Sequence, residues 1–310
     1  MSDLTDGHNL SLQDTGRARS ILVIGEVLWD MFAHSTALGG APLNFAAHAR
    51  RLGYDPLLIS AVGTDSLGDA ARQEIAALGL DASFLQTTSR FPTGTARVEL
   101  GPEDQTRFVI ERPAAYDALR LREEQIAQIL QRTPECFYHG TLFAATPEGR
   151  VVVDRLFGAL PAATRFYDLN LRPGNYSVQL VMEMLEQADV VKLNEEELGV
   201  VCKFTRMPSG IEAFCREGSK RYGWKAVCVT LGARGCGMLC CEEYVEAVGH
   251  TVKVADPVGA GDAFAAAFLH GLISHWPVRK IAEFANRVGA LVASRPGAIP
   301  DWTVKEAAEW

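Results

Sequence analysis

Short apolar runs recur along this chain, each followed by a longer stretch with helical spacing. That alternation constrains the fold more than any other feature. Ser20–Gly25, Pro56–Val62, Cys136–His139, Arg165–Asp168, Val190–Lys192 and Ala226–Thr230 read as buried strands. Between them Leu43–Leu52, Asp69–Leu78, Arg122–Gln131, Pro147–Leu160, Ser177–Gln187, Glu195–Val201 and Ser209–Tyr222 read as helices, and Asp262–Ile273 and Val278–Ser294 follow as two more. Met238–Val245 and Thr251–Val254 are further strand candidates. This order predicts an α/β fold, a doubly wound, mostly parallel sheet with helices on both faces. The rhythm breaks once. Gly94–Leu100 and Thr106–Arg112, joined by Gly-Pro-Glu-Asp-Gln, read as a hairpin. Segments 27–38 and 92–113 are therefore expected to form a small β lid. Residues 1–19 read as a mobile polar tail, 20–300 as the folded domain, and 301–310 as a C-terminal tail.

Composition excludes some classes. A formal net charge of −8 argues against general nucleic-acid backbone binding. No apolar run approaches the roughly 20 residues that span a bilayer. Residues 1–20 lack the apolar core of a signal peptide, so the expected location is cytoplasmic. The 7 cysteines form no Cys-x-x-Cys pair and read as reduced thiols.

Two glycine-bearing stretches carry chemistry. In Asp256–Phe264, Gly259, Ala260 and Gly261 precede a helical run. Small residues admit close backbone approach, and the first N–H groups of a helix lack partners within it, so an anion fits there. Asp262 is then either a base for a group attacking that anion or an acid that complements the helix dipole. Gly39-Gly40-Ala41-Pro42-Leu43-Asn44 is either a close-approach site for a small polyol or a turn before a helix. No Gly-x-x-x-x-Gly-Lys-Ser/Thr loop is present, and residues 25–30 supply no Gly-x-Gly-x-x-Gly, which argues against a P-loop kinase and a dinucleotide oxidoreductase.

Gly39–Ala46 resembles the N-terminal signature of the ribokinase/PfkB carbohydrate kinases, and Asp256–Asp262 resembles their C-terminal one. Asn194 and Glu197, within Lys192–Glu197, are similar to the family's Asn-x-x-Glu element, and Thr230–Gly235 to its nucleotide-phosphate strand end. The resemblance covers about Ile21 to Pro300. Gly-Glu-Val-Leu-Trp-Asp at 25–30, Gly-Gly-Ala-Pro at 39–42, Pro-Thr-Gly-Thr at 92–95 and Asp-Leu-Asn-Leu-Arg at 168–172 look most like fructokinases. Pro257 departs from the Thr more often found there.

The resemblance implies ATP-dependent phosphorylation of a sugar's primary hydroxyl. It makes Asp262 the base and Gly259, Ala260 and Gly261 the anion hole. It places Asp30, Gly39, Gly40, Asn44, Arg97, Asp168, Asn170 and Arg172 around the sugar, with Asp168 also open to a structural role. Asn194, Thr230, Gly232, Gly235, Val258, Asn286 and Ala290 would line the ATP site. Asn194 and Glu197 would place Mg²⁺ through water, and Asp256, Arg295 and Gly297 a monovalent cation such as K⁺. A homodimer through the lid is compatible with exposed strand edges. Fructose is the leading acceptor. 2-Keto-3-deoxygluconate, with Arg97 or Arg107 as its cationic partner, ribose, or a nucleoside on Phe108 or Tyr116 are the alternatives. A non-catalytic sugar or nucleotide sensor is the alternative of another class.

Overall fold

The structure, a computed structural model, describes residues 18–32, 34–100 and 106–309. The Gly-Pro-Glu-Asp-Gln turn and nearly all of the N-terminal tail lie outside them. The strands in chain order are β1 (Ser20–Ile24), β2 (Leu28–Met31), β3 (Thr36–Gly39), β4 (Asp55–Gly63), β5 (Leu85–Thr88), β6 (Gly94–Leu100), β7 (Thr106–Ile110), β8 (Cys136–Gly140), β9 (Thr164–Asp168), β10 (Val190–Asn194), β11 (Ala226–Thr230), β12 (Gly235–Cys240) and β13 (Glu243–Val248). The helices are α1 (Ala41–Arg51), α2 (Ser66–Ala77), α3 (Glu123–Gln131), α4 (Thr141–Ala144), α5 (Pro147–Ala159), α6 (Val178–Gln187), α7 (Glu195–Thr205), α8 (Ile211–Tyr222), α9 (Ala260–Ile273), α10 (Val278–Ala293) and α11 (Val304–Glu309).

Nine strands form one sheet in the order β13-β12-β11-β10-β9-β8-β1-β4-β5. From β11 to β5 all neighbours run parallel, and β12 and β13 add antiparallel. A parallel sheet buried on both faces needs apolar side chains at nearly every position. β1 meets that demand: Ile21 and Val23 enter one apolar cluster, beside α1, α9 and α10, while Leu22 and Ile24 enter the other, beside α5, α6 and α8. The expected doubly wound fold is therefore the observed one. A separate four-stranded sheet, β3-β2-β6-β7, stands apart as the expected lid.

Three local readings are corrected. Met238–Val245 is not one strand. Cys241 and Glu242 adopt φ of 50° and 71° and turn β12 back into β13. Thr251–Val254 is irregular, without strand pairing. Helix α2 starts at Ser66 rather than Asp69, because Asp65 caps it by accepting from the Gly68 N–H at 2.9 Å.

Residues 298–309, in part expected as a tail, are docked on the domain. Trp302 is buried and donates its indole N–H to His48 Nδ1 at 3.0 Å. Burial pushes the His48 pKa down to about 4, so the ring is neutral. Its Nε2–H then faces the Ala298 carbonyl at 3.1 Å. Arg51 adds contacts to Ile299, Pro300 and Asp301.

Candidate active site

In an open parallel sheet the strand ends bring polar residues together beyond the carboxyl edge. Here that edge carries Glu26 after β1, Asp168 closing β9 with Asn170 beyond it, Asn194 closing β10 and Thr230 closing β11. Helix α9 starts above them. Its N-cap, Gly259, has φ 79°, and a Cβ there would lie 2.3 Å from the Ala298 carbonyl oxygen, so the turn requires glycine.

Two cavities meet at this edge. The lid-side cavity, about 380 Å³, is bounded by Asp30, Gly40, Asn44, Asn170, Arg172, Gly259 and Asp262, with Ala96 and Ile110 of the lid above. The helix-side cavity, about 390 Å³, lies along Gly232, Gly235, Ala260, Phe264, Asn286 and Ala290, with Val252 and Val254 from the irregular segment. Asn194, Thr230, Pro257 and Gly261 line both.

Asp262 stands where α9 begins, on the lid side of that junction. Asn44 Nδ2 donates to its Oδ2 at 2.8 Å. Burial, with Asp168 repulsion adding, pushes the Asp262 pKa up to about 6. The group is therefore ionised near neutrality yet a better base than a solvated carboxylate. The other face of the Asn44 amide, Oδ1, is buried without a partner among the described residues, an acceptor left for a ligand's hydroxyl. Asp30 is also shifted up, to about 6, by burial.

Some expected residues sit elsewhere. Arg97 is exposed and ion-paired with Glu111 at 2.6 Å, whereas its strand neighbour Ala96 faces the cavity, so the register is the reverse of the expected one. The Arg107 and Phe108 side chains lie outside the described residues. Tyr116 is fully buried and lines neither cavity. Val258 lies on the lid side, not in the helix-side cavity. Gly39 backs Asp30, whose Oδ2 a Cβ there would meet at 3.0 Å.

Asp168 is buried below the site. It holds Lys192 Nζ at 3.1 Å through both oxygens and accepts from Tyr138. Lys192, which sequence reading passed over, lines the lid-side cavity, and its Nζ is 3.3 Å from where a Cβ on Gly261 would be. The signal was available: strand alternation puts Lys192 on the same face as Asn194. Glu26, within the 25–30 stretch but given no role from it, also lines this cavity.

Glu197 reaches neither cavity. Its oxygens accept from the Leu171 and Asn194 N–H groups at 2.7 and 2.9 Å, while Asn194 Oδ1 caps α7 by accepting from Glu197 N–H. Among the described residues no group of three His, Cys, Asp or Glu gathers as a metal cage. Asn194 lines both cavities, whereas the Glu197 carboxylate is spent on the Leu171 and Asn194 N–H groups, so the expected placement of Mg²⁺ by Glu197 is corrected to a hold on the Asn194 turn. Asp256 accepts from Val258 and Gly297 N–H at 3.0 and 3.2 Å, and the Arg295 guanidinium turns to Asp301 and Glu306. Asn286 donates to Ala247 at 3.2 Å, holding β13 against the helix-side cavity.

Comparison with known proteins agrees with this architecture. The chain is 28% identical over 304 residues to a fructokinase of Escherichia coli, covering 90% of this chain and 94% of that protein. It is 26% identical over 317 residues to a probable fructokinase-3 of Arabidopsis thaliana, covering 92% and 89%. Among solved structures, a fructokinase of Xylella fastidiosa with bound ATP superposes with a TM-score of 0.81 at 24% identity, covering 94% of this chain and 97% of that one. A 2-dehydro-3-deoxygluconokinase of Thermotoga maritima superposes with a TM-score of 0.83 at 20% identity, covering 94% and 98%. The family model described as pfkB family carbohydrate kinase matches residues 19–305, and with the two joined cavities at the sheet edge in place, the chain belongs to that family of carbohydrate kinases.

Proposed function

We propose that this sugar kinase transfers the γ-phosphoryl group of ATP to a primary hydroxyl of a small neutral sugar, with fructose as the preferred acceptor. The observation that carries the reading is the position of Asp262, where the two cavities join and the anion-accepting turn of α9 begins. The fructokinase relatives support fructose, while the fold alone is shared with a kinase of a sugar acid.

In this reading the sugar occupies the lid-side cavity, its hydroxyls held by Asp30, Asn44 and Asn170, with the backbone of Gly40 close by. Asp262 accepts the proton of the attacking hydroxyl. The helix start at Gly259–Gly261, with Arg172 and Lys192, stabilises charge on the phosphoryl group in flight. Thr230, Gly232 and Gly235 follow the triphosphate, and Ala290, Phe264 and Val254 enclose the base. Bound Mg²⁺ would neutralise phosphate charge, with Asn194 as the protein's contribution and Glu197 holding the Asn194 turn in place. The Asp256, Arg295 and Gly297 loops are the proposed site for K⁺.

The test is ATP consumption against a panel of sugars, sugar acids and nucleosides, with the wild type and Asp262→Asn. Turnover is expected to fall by at least about 10²-fold in the variant, with ATP affinity retained in a direct binding measurement. Near-normal turnover would sink the assignment of the base.

A further inference from the structure

Glu26 sits two residues past the end of β1 and lines the lid-side cavity, only 7% exposed. Gly40 packs on its main chain so closely that a Cβ on Gly40 would lie 2.5 Å from the Glu26 carbonyl oxygen. Its carboxylate is met by its own main-chain N–H, and no other described residue donates to it or pairs with it, so most of its acceptor capacity is open to a ligand. The same cavity also holds an acceptor with no hydrogen-bond partner among the described residues, Asn44 Oδ1. Both are acceptors. A ligand that satisfied them would bring hydrogen-bond donors, as the hydroxyls of a polyol do.

The charge balance points the same way. Glu26, Asp30 and Asp262 line the cavity as acids, and Arg172 and Lys192 as bases. Lys192 is already held by both oxygens of Asp168, which leaves Arg172 against three carboxyl groups. The charged and titratable groups around Glu26 are Arg172 from the loop after β9, Asp262 from α9, Arg112 beyond β7, and the Tyr116 and Tyr138 hydroxyls.

We propose that Glu26 is a specificity-determining residue of the acceptor site, holding a hydroxyl of a neutral polyhydroxy sugar and repelling acceptors that carry a carboxylate. This rests on the sugar-kinase reading of the same cavity. Burial pushes the Glu26 pKa up to about 7, with Arg172 opposing and Asp262 adding to the rise. As pH climbs through about 7 the group ionises. The neutral acceptor then gains a charge-assisted hydrogen bond and the anionic acceptor meets added repulsion. Selectivity therefore rises with pH. The role of Asp262 as base is common to both acceptors, whereas the charges of Asp30 and Asp262, each raised to about 6, add to the repulsion at the acid end, so the Glu26 contribution is the difference in slope between the wild type and Glu26→Gln.

The experiment measures kcat/KM for fructose and for 2-keto-3-deoxygluconate from pH 6 to 8.5, in the wild type, Glu26→Gln and Glu26→Asp, with ATP affinity as a control for folding. The wild type is expected to prefer fructose by a ratio that grows with pH. Glu26→Gln is expected to raise the KM for fructose about ten- to hundred-fold, flatten the pH dependence of the ratio, and leave ATP affinity within about two-fold. Glu26→Asp should keep the slope with a smaller ratio. An unchanged ratio and slope in Glu26→Gln overturns the proposal, as does a wild type that prefers the sugar acid. In both cases the kinase reading stands. If no acceptor in the panel drives ATP consumption, the kinase reading itself fails and the proposal falls with it.

Discussion

Asp262, Asn44 and Asp168 form a small electrostatic unit. Burial and Asp168 raise the Asp262 pKa, and the Asn44 hydrogen bond lowers it. A base must be ionised to act, so activity is present above the Asp262 pKa and is lost as pH falls through it. The acid limb of kcat at saturating ATP and sugar is expected in the region of pH 6. Asn44→Leu removes the donor that favours the carboxylate, so the limb should move to higher pH, readable as a shifted midpoint in the pH–rate profile. A limb that stays in place would remove Asn44 from the tuning of this base. Asp262 and Asn44 were legible in the sequence because each lies in a stretch of small residues before a helix. Lys192 and Glu26 were not assigned, because an isolated charge at a strand end gives no sign of what faces it until the sheet order is known.

At the scale of elements, most strands and helices follow from apolar periodicity, and the misses have physical causes. Arg97 depended on lid register, and one residue of slip exchanges the two faces of a strand. The β12–β13 turn was hidden because Cys241 and Glu242 are not the glycine or asparagine that usually marks positive φ. The start of α9 is the element on which catalysis is expected to depend most. Gly259→Ala would place a methyl group against the Ala298 carbonyl and force a left-handed backbone onto alanine. A destabilisation of roughly 1–3 kcal/mol is expected, seen as a lowered Tm. Loss of kcat should exceed any change in ATP affinity, because the same turn is the proposed anion hole. A variant with wild-type Tm and kcat would show that the turn tolerates a side chain.

For the whole molecule, the sheet separates two apolar clusters, and the active-site residues gather where its strands end. That plan was readable from the order of elements alone. The docking of Trp302 on His48 was not, because a short polar segment around one tryptophan has no periodicity to read. Its neighbour Ala298 packs on Gly259, so the C-terminal segment buttresses the helix start that faces both cavities. Those cavities share Asn194, Thr230, Pro257 and Gly261 as a common wall. Two reactants that meet across such a junction need no relay. Phosphorus is expected to pass from donor to acceptor in one displacement, with inversion of configuration and no phosphorylated enzyme. Initial-rate lines for ATP at several fixed sugar concentrations should intersect rather than run parallel. Label should not exchange between ADP and ATP until the sugar is present.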